Sequence, residues 1–252
     1  MLVEFPLIEA YNFVRPSDAD VLVVRNVPLD AMKQDVLKLF DNMPYQIVEQ
    51  PIGTGYRAIH LVPCHRSGTK LSAYVEFRTP CAARAITKHF INRAKATSSG
   101  AGGGYYIGGN RVRVYVTTQS ELMAALFPWA RGVLWVGSIP HISPKQWNTP
   151  TGFRGFMHEA ETNAMSRAYH LRSLEHCISI IHKYPWGAAE HIFLLERDAL
   201  FTTAKLILSL GINSLVAEPS SMPKSSRTRR VVQELAIAIF TCPGFNEAQK
   251  SA

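Results

Sequence analysis

The sequence predicts an α+β fold: a ferredoxin-like split βαβ sandwich followed by a mainly helical C-terminal region. Three observations lead there. Residues 20–116 read as strand, helix, strand, strand, helix, strand, the order of four antiparallel strands backed by two helices. Clean apolar alternation is confined to the first half, whereas the second half carries its apolar residues at helical spacing. A length of 252 residues with 47% hydrophobic composition suits one large or two small domains and excludes wholesale disorder. The expected division is an extension over 1–16, the sandwich over 17–118, and a linker with a short helix and strand over 119–140. A helical region over 141–242 and a tail over 243–252 complete it.

The first strand, Asp-Val-Leu-Val-Val-Arg-Asn-Val-Pro over 20–28, is a β-branched run closed by a turn signal. A helix follows over 31–43, with Val36, Leu39 and Phe40 on one stripe and Asp30 as its expected cap. The second strand falls at 46–50 or at 56–62. Residues 70–78 alternate: Ala73, Val75 and Phe77 face one side, and Ser72, Tyr74, Glu76 and Arg78 the other. Thr79-Pro80 opens a helix through about Asn92, with Ala82, Ala85, Ile86 and Phe90 inward. A glycine-rich stretch over 98–104 reads as a flexible connection to the last strand, 111–116, where Arg113 and Tyr115 oppose Val112, Val114 and Val116.

Three of these stretches resemble the RNA recognition motif family. Leu22-Val-Val-Arg-Asn-Val-Pro28 is similar to its first signature strand, and Lys70-Leu-Ser-Ala-Tyr-Val-Glu-Phe77 to its second. Gly109-Asn-Arg-Val-Arg-Val114 looks like the approach to its last strand. The resemblance covers residues 18–118 and implies single-stranded RNA stacked on the free face of the sheet. The family's three aromatic positions fall on Val23, Ser72 and Tyr74, so only Tyr74 supplies a ring, and Lys70 matches the basic position. Base stacking is worth roughly 1–3 kcal/mol per base, so the platform is degenerate. Strand parity adds Arg25, Arg113 and Tyr115 beside Tyr74, and Arg78 on the same face, as groups that restore affinity.

Charge supports this placement. Residues 1–49 hold eight acids against four bases, whereas residues 50–120 hold ten bases against the single acid Glu76. The formal net charge is +8, which suits an acidic partner such as RNA.

In the second half, 119–127 reads as a helix capped by Ser120, and 132–140 as strand-like. Residues 157–171, 173–184 and 229–240 carry helical stripes, and 190–210 is apolar enough for a buried helix or for a strand followed by a helix, with Gly211 as an expected C-cap. The alternative is a divergent second recognition motif over 132–219, with Trp135, His191 and Phe193 as platform residues. The pairs Pro128-Trp129 and Pro185-Trp186 are expected to seal helix ends. The basic run with Lys224, Arg227, Arg229 and Arg230 has three readings: a solvated loop, an auxiliary phosphate contact, or a nuclear import signal.

The remaining signals are negative. Nothing in the sequence spells a phosphate-binding loop, a nucleophile elbow or a zinc-ligand pair, so no catalytic residue, cofactor or metal is expected. The four cysteines are scattered and read as reduced thiols, and no apolar run reads as a membrane span. The reading is a non-catalytic intracellular RNA-binding protein, nuclear or cytoplasmic with the nucleus preferred. Its helical region packs on the sandwich or docks a protein partner. The rival is a protein-interaction scaffold built on a degenerate sheet.

Overall fold

The computed structural model describes residues 19–40, 47–49, 57–63, 69–79, 82–96, 105–143, 152–167, 171–217 and 223–251. They fall into two compact units that divide between Ala125 and Leu126.

In the first unit, β1 (Asp20–Pro28), β2 (Ile59–Pro63), β3 (Lys70–Phe77), β4 (Tyr105–Ile107) and β5 (Asn110–Thr117) form one antiparallel sheet. Its order is β2-β3-β1-β5-β4. The β-branched run of β1 lies between β3 and β5, where Val21 to Val24 are all buried. One face is covered by α1 (Lys33–Leu37) and α2 (Ala82–Ala96). Leu22, Val24, Ala73, Val75 and Phe77 from the strands meet Val36, Phe40, Ile86 and Phe90 from this side in one core. Phe40 sets its ring edge-on to Phe77 at 5.6 Å. Each such burial contributes about 1.5–3 kcal/mol.

Several boundaries differ from expectation for local reasons. The first helix is confined to Lys33–Leu37; Asp35 rather than Asp30 holds its start, accepting from the Met32 amide at 3.1 Å. The second strand forms at Ile59–Pro63, while 47–49 joins through the bridges Ile47–Phe77 and Glu49–Arg57. The unexpected strand β4 hairpins onto β5 through Gly108 and Gly109, both at positive φ, which a two-residue hairpin turn requires. The glycine-rich residues 98–104 lie outside the described residues.

The second unit begins within α3 (Gln119–Leu126), whose start is capped by Thr118, not Ser120: the Thr118 hydroxyl accepts from the Glu121 amide at 3.2 Å. A hairpin of β6 (Val133–Val136) and β7 (Ile139–Ile142) follows. Helices α4 (Glu159–Arg167), α5 (Leu171–Lys183), α6 (Leu194–Ala217), α7 (Pro223–Thr241) and α8 (Glu247–Lys250) complete it. The stripe Leu174, Cys177, Ile178 and Ile181 is buried, and α5 packs against both α6 and α7.

The positions proposed for a second recognition motif do not form a strand platform. His191 sits in a short 3-10 turn, Phe193 precedes α6, and Trp135 is buried against Phe127 and Phe156. Gly211 caps nothing, because α6 runs through it, buried, to Ala217. Pro223 opens α7, as proline suits a first helical position, so the basic run is helical and not a loop. Trp186 does seal α5: its indole N–H donates to the Ile181 carbonyl at 2.8 Å, an acceptor the helix end leaves unused. Trp129 is half-exposed, its ring 6.3 Å from that of His158 just before α4.

Burial pushes the Cys177 and Cys242 thiols up to about 12, which leaves both unreactive. Cys64 and Cys81 lie outside the described residues. Contrary to expectation, α6 is long and apolar enough to cross a membrane by length and composition, with 33% of its most apolar window buried in the protein.

Candidate nucleic-acid interface

The second face of the sheet carries the candidate site, and register fixes its layout. Tyr74 on β3 lies between Val23 on β1 and His60 on β2. Arg25 lies across from Arg113 on β5, Val23 from Tyr115, and Tyr106 on β4 from Arg111. Cross-strand partners share a face, so all of these residues belong to one surface.

That surface is divided. Over β2 and β3 it is closed: His60 and Glu76 are fully buried, and Val23, Ser72 and Tyr74 are nearly so. The expectation that Tyr74 and Ser72 stand open to a ligand is therefore corrected, since both faces of β3 are buried. A polar network lies in the closed part. His60 Nε2 and Glu76 Oε1 are 2.8 Å apart, and the Gln119 side-chain amide donates to Glu76 Oε2 at 2.5 Å and to the Ala19 carbonyl at 3.0 Å. Gln119 is the first residue of α3, so this bond anchors the helix at the polar row. Leu122, Met123 and Leu126 continue the Gln119 stripe at helical spacing and are buried.

Over β5, β4 and the end of β1 the face is open. Arg25, Arg111 and Arg113 are exposed, Tyr106 is 48% exposed and Tyr115 is 46% exposed. None of the three guanidinium groups makes a hydrogen bond or ion pair with a described residue. Like charges directly opposite each other on neighbouring strands are destabilising, so the Arg25–Arg113 pair is a cost to the sheet. The backbone beneath is fixed by a bulge. Asn26, at φ 69°, donates its side-chain amide to the Arg111 carbonyl at 2.6 Å. This ties β1 to β5 beside the arginines.

The other predicted residues are dispersed. Lys70 opens β3 opposite Pro28 and is exposed. Arg78 is exposed just beyond β3 and lies 3.7 Å from Glu49. In α7, Arg227, Arg229 and Arg230 are exposed, and Arg230 meets Glu234 at 3.4 Å. The Lys224 side chain lies outside those described. The site set read from sequence thus yields one constellation, Arg25 with Arg113 and Tyr115. Two partners were missing from it: Arg111, which shares the parity of Arg113, and Tyr106, hidden because the glycine-rich stretch obscured β4.

The second unit holds a different polar cluster. Glu196 accepts from the Met157 amide at 2.5 Å, and Glu161 accepts from the His158 amide at 2.8 Å. Burial pushes both carboxyls up to about 7. Tyr184, buried next to Glu196, is raised well above the usual phenol range, first by burial and then by that carboxylate. The Glu196 carboxylate fills the space where a Cβ on Gly155 would stand, 2.6 Å from Oε2, which marks it as a staple between 155–157 and α6. Among the described residues, no group of three or more metal-ligating side chains occurs.

Residues 18–137 match a family model described as a domain of unknown function (DUF8400), and residues 153–252 match another described in the same terms (DUF8399). The first match runs from the sheet through α3 and β6; the second covers α4 to α8. No curated protein and no solved structure matches the chain.

Proposed function

We propose that the first unit is a divergent RNA-recognition-motif sandwich that binds single-stranded RNA on the open part of its sheet. The strand order β2-β3-β1-β5, with α1 and α2 on one face, supports the ferredoxin-like arrangement. The observation that carries the binding is the Arg25–Arg113 pair: two cations held opposite each other, with Arg111 beside them and, among the described residues, no acid bonded to any. A polyanion relieves that repulsion, and guanidinium groups pair with phosphates in a planar, two-pronged fashion. Tyr106 and Tyr115 flank the arginines and offer rings for bases. The ligand-facing surface is thus moved from β3 toward the β5 edge.

The test is fluorescence anisotropy of a labelled single-stranded RNA at two salt concentrations. Arg25→Ala and Arg113→Ala are each expected to weaken binding and to lower the salt slope by about one. Equal affinities and slopes for wild type and both variants would overturn the proposal.

A second reading, docking of a protein helix on the second unit, rests on α6. Leu195, Ala199, Thr202, Leu206, Ser209, Asn213 and Val216, at alternating four- and three-residue steps, are all exposed and uncharged. That is the spacing of a seam facing another helix. Partners that survive nuclease treatment in a pull-down favour this reading, and partners lost on digestion favour RNA.

A further inference from the structure

Resting on the RNA reading, we infer that the open strip is a three-nucleotide site whose outer bases stack on Tyr106 and Tyr115 and whose central base is unread. The argument is one of spacing. Along β5 the residues facing the strip are Arg111, Arg113 and Tyr115, each two residues apart and so about 6.6 Å apart. Tyr106 stands level with Arg111, and Arg25 level with Arg113. From one ring to the other is therefore four residues along the strand, about 13 Å, with a lateral step of one strand, about 4.8 Å.

Neighbouring bases stacked on each other cannot reach both rings, because stacked bases repeat at about 3.4 Å. An extended strand can: each two-residue step along β5 is of the order of one sugar–phosphate repeat. The first base then lies on one tyrosine and the third on the other, and the phosphates between them fall over Arg111, Arg113 and Arg25. Among the described residues, the cross-strand partners between the two rings on this face are the arginines Arg111, Arg113 and Arg25. These hold phosphates and leave the central base without an aromatic partner or a shaped pocket. Sequence preference, if any, then resides at the outer positions.

The experiment is a length and abasic series. Oligouridylates of two, three, four and six nucleotides are titrated against the full chain, read by quenching of tyrosine fluorescence. Affinity is expected to rise steeply from two to three nucleotides and little beyond. In the trinucleotide, an abasic centre is expected to bind within about twofold of the parent. An abasic end is expected to lose about 5- to 150-fold, the equivalent of one stacked base. Tyr106→Ala and Tyr115→Ala should each abolish the penalty of one abasic end and leave that of the other. Loss on removing the central base, or no step between two and three nucleotides, overturns the three-nucleotide site while leaving RNA binding intact. Absence of binding at every length overturns the RNA reading itself.

Discussion

Arg25 and Arg113 stand directly across from each other on β1 and β5, exposed and with no acidic partner among the described residues. Opposed cations weaken a sheet, and removal of one is expected to strengthen it. Arg113→Thr should raise unfolding stability by about 0.2–1 kcal/mol, since threonine also suits a strand. The same variant should bind RNA more weakly. Urea unfolding and anisotropy on one sample check both signs, and a variant that loses stability would remove the argument from repulsion.

Tyr74 is expected to behave as a core residue. Tyr74→Ala should cost about 3–5 kcal/mol, the range for emptying a large aromatic site. Tyr74→Phe should retain the fold and bind RNA with wild-type affinity, which titration of the folded variant tests.

Glu161 and Glu196 make the second unit sensitive to pH. Burial holds both carboxyls near 7 in the folded chain against an ordinary 4.5, so the folded chain holds more protons than the unfolded chain between those limits. Stability is then fully present below about pH 4.5 and declines as pH rises through about 7. Thermal unfolding followed across that window should show a falling Tm, and Glu196→Gln should flatten the fall because the amide carries no charge to bury. An unchanged slope in that variant would locate the pH dependence elsewhere.

Gly244 is expected to tolerate no side chain. A Cβ there would collide with the Trp186 ring, which is held by its bond to Ile181 and packed against Phe245. Gly244→Ala should therefore cost about 1–3 kcal/mol by overpacking, measured by urea unfolding. A Cβ on Gly109 meets nothing within 4 Å, yet its φ of +81° imposes backbone strain, so Gly109→Ala should cost about 1–2 kcal/mol.

Strong periodicity in the sequence translated into structure; long-range burial did not. The runs at β1, β3 and β5 and the α5 stripe were legible because β-branched alternation and helical spacing are local properties. β4 was not, since three residues beside a glycine-rich stretch give too short a pattern. The closure of Tyr74 was invisible for another reason. The polar row of the same strand meets Gln119, 43 residues from Glu76 in the chain, and an alternating strand reads the same whether that row meets solvent or a buried amide. Parity did place Arg25, Arg113 and Tyr115 together, because a two-residue period needs only correct register. The α6 segment reads as a buried helix or as a strand followed by a helix, because apolar density alone distinguishes neither helix from strand nor an inward helix face from an outward one.

The bond from Gln119 to Glu76 also sets where this protein can be cut. A fragment stopped at Thr118, where the recognition-like pattern runs out, would strip the fully buried Glu76 carboxylate of the Gln119 side-chain amide that donates to it. Such a fragment should express poorly or gather into aggregates, whereas one carried on through Ala125 keeps the amide in place. The smallest autonomous piece is thus longer than its recognisable motif.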